Sequence, residues 1–243
     1  MFRAALISAM LLLATPLPAN GALFCVVDGL TYRATINGTG TITGTDGPDV
    51  IRGSNGSDRI FGNGGDDIIC GRGGADSIDG GEGADSVTGD SGRDTIKGGA
   101  GDDAIYGGSS ADRIDGGSGI NWIEGEEGDD VLIGGDNDDR IYGGDGADRI
   151  YGKDRGDRIE GNAGPDSIAS GSGDDTVYGD FNTGSSSGWA DVIDAGPDAD
   201  FVFGGGGDDL IGGGSGNDDL HGGHGNDIIT AGTGEDEVWA GPD

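Results

Sequence analysis

Aliphatic residues recur every nine positions along most of this 243-residue chain. The file opens at Ile51, Ile60, Ile69 and Ile78 and closes at Leu220, Ile229 and Val238. Between them lie short stretches rich in glycine and aspartate. Counted from Gly44, each nonapeptide carries glycine at position 1, often 2, and 4, aspartate at position 6 and the aliphatic at position 8. Gly62 to Cys70, Gly80 to Thr88 and Gly143 to Tyr151 share this template. The register runs unbroken from Gly44 to Tyr178 and resumes from Ala195 to Trp239. Between them, the expanded repeat Gly179 to Asp194 carries seven extra residues. Position 8 is Ile, Val or Leu in all 21 repeats, and position 6 is Asp in 20, with Asn121 the exception. Position 4 departs from glycine at Ser110, Asn137, Arg155, Trp189 and Asp198.

Glycine in the first four positions supplies positive φ and close backbone approach, which predicts a tight turn. Positions 7 to 9 form a very short strand with position 8 facing in and its neighbours facing out. Two repeats close one coil of 18 residues, and coils stack as parallel strands. The predicted fold is all-β: a right-handed parallel β-roll, or β-helix solenoid, of about ten two-repeat coils, on the order of 50 Å long.

Charge changes this picture. One buried aliphatic per nine residues falls short of the cost of ordering them. The chain carries 46 acidic and 13 basic residues, a formal charge of −33. Aspartates stacked one coil apart repel unless a cation lies between them. Calcium fits: it accepts six to eight oxygens in flexible geometry. The repeat holds no soft ligand for zinc or copper, and magnesium keeps its waters. One ion between each repeat and the next but one gives about nineteen sites.

The template resembles the G-G-x-G-x-D-x-U-x nonapeptide of RTX (repeats-in-toxin) proteins, and the resemblance covers residues 44 to 239. It implies multiple calcium ions in two rows, one along each edge of a flattened β-roll, with glycine-turn carbonyls as additional ligands. The implied ligands are Asp49, Asp58, Asp67, Asp76, Asp85, Asp94, Asp103, Asp112, Asp130, Asp139, Asp148, Asp157, Asp166, Asp175, Asp191, Asp200, Asp209, Asp218, Asp227 and Asp236. Asn121 removes one charge, and the insertion 180–187 is expected to weaken the sites beside it.

Residues 1–21 read as a secretory signal peptide: Arg3 precedes the apolar run Ala4 to Ala14, which is too short for a membrane span, and small residues follow. Residues 22–43 are assigned as an N-terminal cap, 44–239 as the calcium-binding β-roll and 240–243 as a C-terminal tail. A secreted, extracellular protein with two cysteines, Cys25 and Cys70, favours a disulfide over two free thiols. The bridge would pin the cap over the open end of the roll.

No catalytic set is legible. G-x-G-x-x-G matches fall inside the nonapeptides with no helix pattern after them. His221 and His224 lie three residues apart, read as a solvent-facing turn, and supply no triad. The acidity argues against nucleic-acid partners. At 18-residue steps, position 9 reads Tyr106, Glu124, Tyr142, Glu160, Tyr178. That row is either a chance alternation on a solvated face or a recognition strip. Trp122, Val131, Ile133, Phe201 and Phe203 also face out. The favoured reading is a secreted, calcium-folded, non-enzymatic structural or interaction module. The alternatives are an adhesin, or an accessory fragment of a larger toxin or enzyme system. No protein or surface partner is named by these residues.

Overall fold

A computed structural model describes residues 24–27, 29–180 and 188–242. The leader reading of 1–21 and nearly all of the insertion lie outside the described residues. β1 (Phe24–Val27) and β2 (Leu30–Arg33) form an antiparallel hairpin. Every later strand enters one of two parallel sheets, of 11 and 12 strands, alternating between them along the chain. Ile96 therefore pairs with Ile114 at a step of 18. The result is an all-β solenoid of about 11 turns.

The strands are longer than three residues. Most span six, as in Arg59–Gly64 and Thr95–Ala100. Pairing continues past the bend at position 1, with Gly99 opposite Gly117 and Ala100 opposite Ser118. Stacked turns in register keep bonding laterally after the chain has turned.

The glycines divide their work. At position 1 they keep ordinary φ but lie against the next coil: a Cβ on Gly80 would stand 2.5 Å from both Asp85 Oδ2 and Gly98 O. From the third repeat on, most residues at positions 2 and 4 have positive φ, as at Gly81 (114°) and Gly83 (125°). Side chains at position 2, such as Asp90 and Glu126, take the same left-handed conformation.

The position-8 file forms one continuous core between the sheets. It begins before Gly44: Ile36 pairs with Ile51 and Ile42 with Ile60, through β3 (Ile36–Asn37) and β4 (Thr41–Thr43). At the other end Val238, in the edge strand of its sheet, is 49% exposed.

Cys25 and Cys70 are joined, with Cα atoms 5.6 Å apart. The bridge does not lie over the end of the roll. Cys70 occupies position 9 and faces outward, so the hairpin packs on the outer face of one sheet and buries Val50, Ile68 and Cys70. Arg52 Nε donates to Phe24 O at 2.8 Å beside it. Closing a loop of this size stabilises by about 4 kcal/mol.

Candidate metal centre

The turn that carries each position-6 residue delivers it in the same pose. Its carbonyl accepts the position-7 N–H one coil on, as Asp58 O does from Ser77 N at 2.9 Å. Its own N–H donates to the next position-6 carboxylate: Asp58 to Asp76 Oδ1, Asp76 to Asp94 and Asp94 to Asp112, all at 2.7 Å. Two rows result. One runs from Asp49 through Asp67, Asp85 and Asp103 to Asn121, and on to Asp236; the other runs from Asp58 to Asp227.

The insertion does not break either row. Asp166 N donates to Asp191 Oδ1 at 2.8 Å, and Asp175 N to Asp200 Oδ1 at 2.9 Å. Asp180 Oδ2 accepts from Trp189 N at 2.9 Å and fixes the chain where it re-enters the register. The carboxylates on either side of the insertion meet as they do elsewhere.

The second oxygen is the distinctive feature. Oδ2 is buried and accepts no hydrogen bond in Asp67, Asp76, Asp85, Asp94, Asp103, Asp112 and Asp130. The same holds for Asp139, Asp148, Asp157, Asp166, Asp175, Asp191, Asp200, Asp209, Asp218 and Asp227. Asp49 and Asp58 differ: Thr45 and Ser54 supply both a backbone N–H and a hydroxyl to their Oδ2. Asn121 differs too, because its Nδ2 donates to Gly119 O at 3.2 Å. Asp236 is half-buried in the last rung and has no orphaned oxygen.

Buried carboxylates without donors resist ionisation. Burial, eased by the backbone N–H and worsened by the stacked neighbours, pushes Asp94 up to about 7. The same causes push Asp103, Asp157, Asp191 and Asp200 up to about 8.

Among the described residues no three His, Cys, Asp or Glu side chains converge on one point. A cation here would draw on carboxylates from the row and on backbone carbonyls. At Gly80 a carboxylate oxygen of Asp85 and the carbonyl of Gly98 already flank one small space. Anionic and neutral oxygens without nitrogen or sulfur are a hard donor set, which fits calcium.

A second ladder went unread in the sequence. Position-5 carboxylates accept the position-5 N–H one coil on: Asp66 from Ala84 at 3.0 Å, Asp102 from Ile120 at 2.8 Å and Asp129 from Ala147 at 3.0 Å. The signal was the Asp-Asp doublet at positions 5 and 6. His221 lies in a strand, with its ring stacked 6.2 Å from Trp239, rather than on a turn with His224.

A family model for the RTX calcium-binding nonapeptide repeat (4 copies) matches residues 43–78, 61–96, 79–114, 88–123, 115–150, 151–183, 190–220 and 212–243. No curated protein matches the chain. With the matches spanning most of residues 43–243, the chain belongs to the RTX calcium-binding nonapeptide repeat family.

Proposed function

We propose that this chain is a secreted, non-enzymatic module that many calcium ions fold into a rigid extracellular β-roll. The position-6 aspartates are its ligands, helped by turn carbonyls. The observation that carries this reading is the run of buried, donorless Oδ2 atoms. Left charged and alone, such groups oppose folding by several kcal/mol each. A divalent cation between rungs removes that penalty and ties adjacent coils together. Folding would then wait for the calcium of an extracellular medium, and the unfolded chain would be the form that is exported.

Chemistry beyond ion binding finds no support in the site. The carboxylates are equivalent and repeated, and none is set apart as an acid or a base. Among the described residues no helix is long and apolar enough to cross a membrane.

Equilibrium dialysis of metal-free protein against calcium tests the ligand assignment. Many ions per chain are expected, fewer after paired replacement of Asp85 and Asp103 by alanine. A single ion, or a count unchanged by those replacements, would contradict it. N-terminal sequencing of exported protein, expected to begin near Gly21, tests the leader.

A further inference from the structure

The first two repeats close their turns differently from the rest. Asn63 (φ 78°) and Gly65 (97°), at positions 2 and 4 of the third repeat, are left-handed, whereas Thr45, Gly47, Ser54 and Gly56 are not. The difference is chemical. Thr45 donates its N–H and its hydroxyl to Asp49 Oδ2 at 2.7 and 2.8 Å. Ser54 does the same for Asp58 Oδ2 at 2.7 and 2.8 Å. Each hydroxyl in turn accepts the position-4 N–H, from Gly47 at 3.3 Å and from Gly56 at 3.1 Å. The carboxylates lean toward these donors. A Cβ on Gly44 or Gly53 would stand 3.1 or 3.0 Å from the aspartate Oδ2, against 2.5 Å at Gly80. An ion seeking these oxygens would have to displace two donors from each.

The segment that holds these turns also has what the later rungs lack. β5 (Val50–Arg52) is buried on both faces. Ile51 joins the inner file, and Val50 lies under the hairpin with Cys25, Val27, Ile68 and Cys70. Thr35 N donates to Val50 O at 2.8 Å, and Val50 N donates to the Thr35 hydroxyl at 3.0 Å. The Cys25–Cys70 bridge and the Arg52 bond to Phe24 O tie the hairpin to this frame. Residues 24–61 carry three arginines and four aspartates, a net charge of −1 in a chain of −33. Burial on two faces raises the apolar area per rung, and the bridge restricts the unfolded chain. Near-neutrality removes the repulsion that opposes folding elsewhere.

We propose that Asp49 and Asp58 hold no calcium, and that residues 24–61, bridged to Cys70, fold as a metal-free nucleus on which the calcium-dependent turns are laid down. Resting on the calcium reading for the later rungs, this nucleus departs from it at the first two, where hydroxyls fill the role given elsewhere to an ion. The nucleus presents a finished edge. The N–H groups of Asp49 and Asp58 donate to Asp67 Oδ1 and Asp76 Oδ1. Those are the first carboxylates of the two rows whose second oxygen is buried without a donor. Solenoid energetics are nearest-neighbour, so a turn adds most readily to a turn already ordered. Folding would then run from this end toward Trp239. The nucleus is a minority of the chain, so the far-ultraviolet spectrum of the whole metal-free protein stays essentially that of a disordered chain.

Hydrogen exchange of the full, disulfide-bonded chain in chelator at neutral pH, read peptide by peptide by mass spectrometry, tests the nucleus without any variant. Peptides from 24–61 should exchange more slowly than peptides from 80–178, by about tenfold or more. Uniformly fast exchange would overturn the nucleus and leave the calcium reading standing. Uniformly slow exchange would overturn both. Thr45→Val with Ser54→Ala removes only the hydroxyls and should bring 24–61 up to the exchange rate of the later rungs; undiminished protection would show that the hydroxyls do not replace an ion. Equilibrium dialysis at saturating calcium tests the two rungs themselves. Asp49→Ala with Asp58→Ala should leave the ion count unchanged. A count lowered by one or more, in a variant that keeps its calcium-loaded β spectrum, would return these aspartates to the metal array. If that variant loses its β spectrum, exchange of the unaltered chain decides alone.

Discussion

Asp103 and residue 121 stand in the same row, one coil apart, and differ by a single functional group. Asp103 Oδ1 accepts the N–H of Asp85 at 2.8 Å, and Asn121 Oδ1 accepts the N–H of Asp103 at 3.1 Å. The backbone cannot tell them apart. The other terminal atom can. Asn121 Nδ2 donates to Gly119 O, while Asp103 Oδ2 is buried without a donor. Asp49 and Asp58 fall on the asparagine side, because Thr45 and Ser54 supply their donors. Asparagine would thus serve the ladder as well as aspartate. The charge elsewhere in the rows answers to something outside the chain, a cation or a proton.

The largest expected effect follows from the proton. The folded pKa of these aspartates is raised above the ordinary carboxylate value of about 3.9. Their protonated form therefore favours the metal-free fold below that value, and this contribution is lost as pH rises through about 6 to 8. Metal-free protein should gain β signal as pH falls from about 8 to about 5, and calcium should lose its effect over the same interval because protons compete for the same oxygens. Calcium midpoints measured at several pH values, rising toward acid, check this.

Single rungs come next. Asp94→Ala removes a proposed ion ligand and also strands the Asp76 N–H, a loss of about 1–3 kcal/mol visible as a higher calcium midpoint. Asp94→Asn keeps that acceptor, so it should cost less. Because the row passes Asp191 unbroken, Asp191→Ala should resemble Asp94→Ala. Equal calcium titrations would support that view, and a much smaller shift at Asp191 would restore the insertion as a weak point.

Smaller still, Asn121→Asp should add a donorless oxygen to a row that lacks it there. Ion count should rise by about one, and the metal-free protein should become less ordered. Asp236→Ala should matter least, since that carboxylate is only half-buried and has no buried, donorless oxygen. Its midpoint should move by less than about twofold.

Much of this was legible because a solenoid writes its fold locally. The position-8 file named the core, and the position-6 file named the rows. Position 9 faces outward, so Cys70 at that position ties the hairpin to the outer face of a sheet and not over the open end. The doubled aspartates at 66–67, 102–103 and 129–130 held the second ladder in plain view. Two things depend on geometry alone. One is that pairing continues through the glycine turn, which follows from coil-to-coil register. The other is that Thr45 and Ser54 satisfy Asp49 and Asp58, because nothing in a nonapeptide pattern says where a position-2 hydroxyl points.

The most direct measurement of the central claim is far-ultraviolet circular dichroism of the mature, disulfide-bonded protein at neutral pH, first in chelator and then in millimolar calcium. A disordered spectrum that becomes β-rich on calcium addition, and reverts on chelation, is the expected result. A β-rich spectrum that persists unchanged in chelator would show that the fold tolerates its buried, donorless carboxylates without an ion.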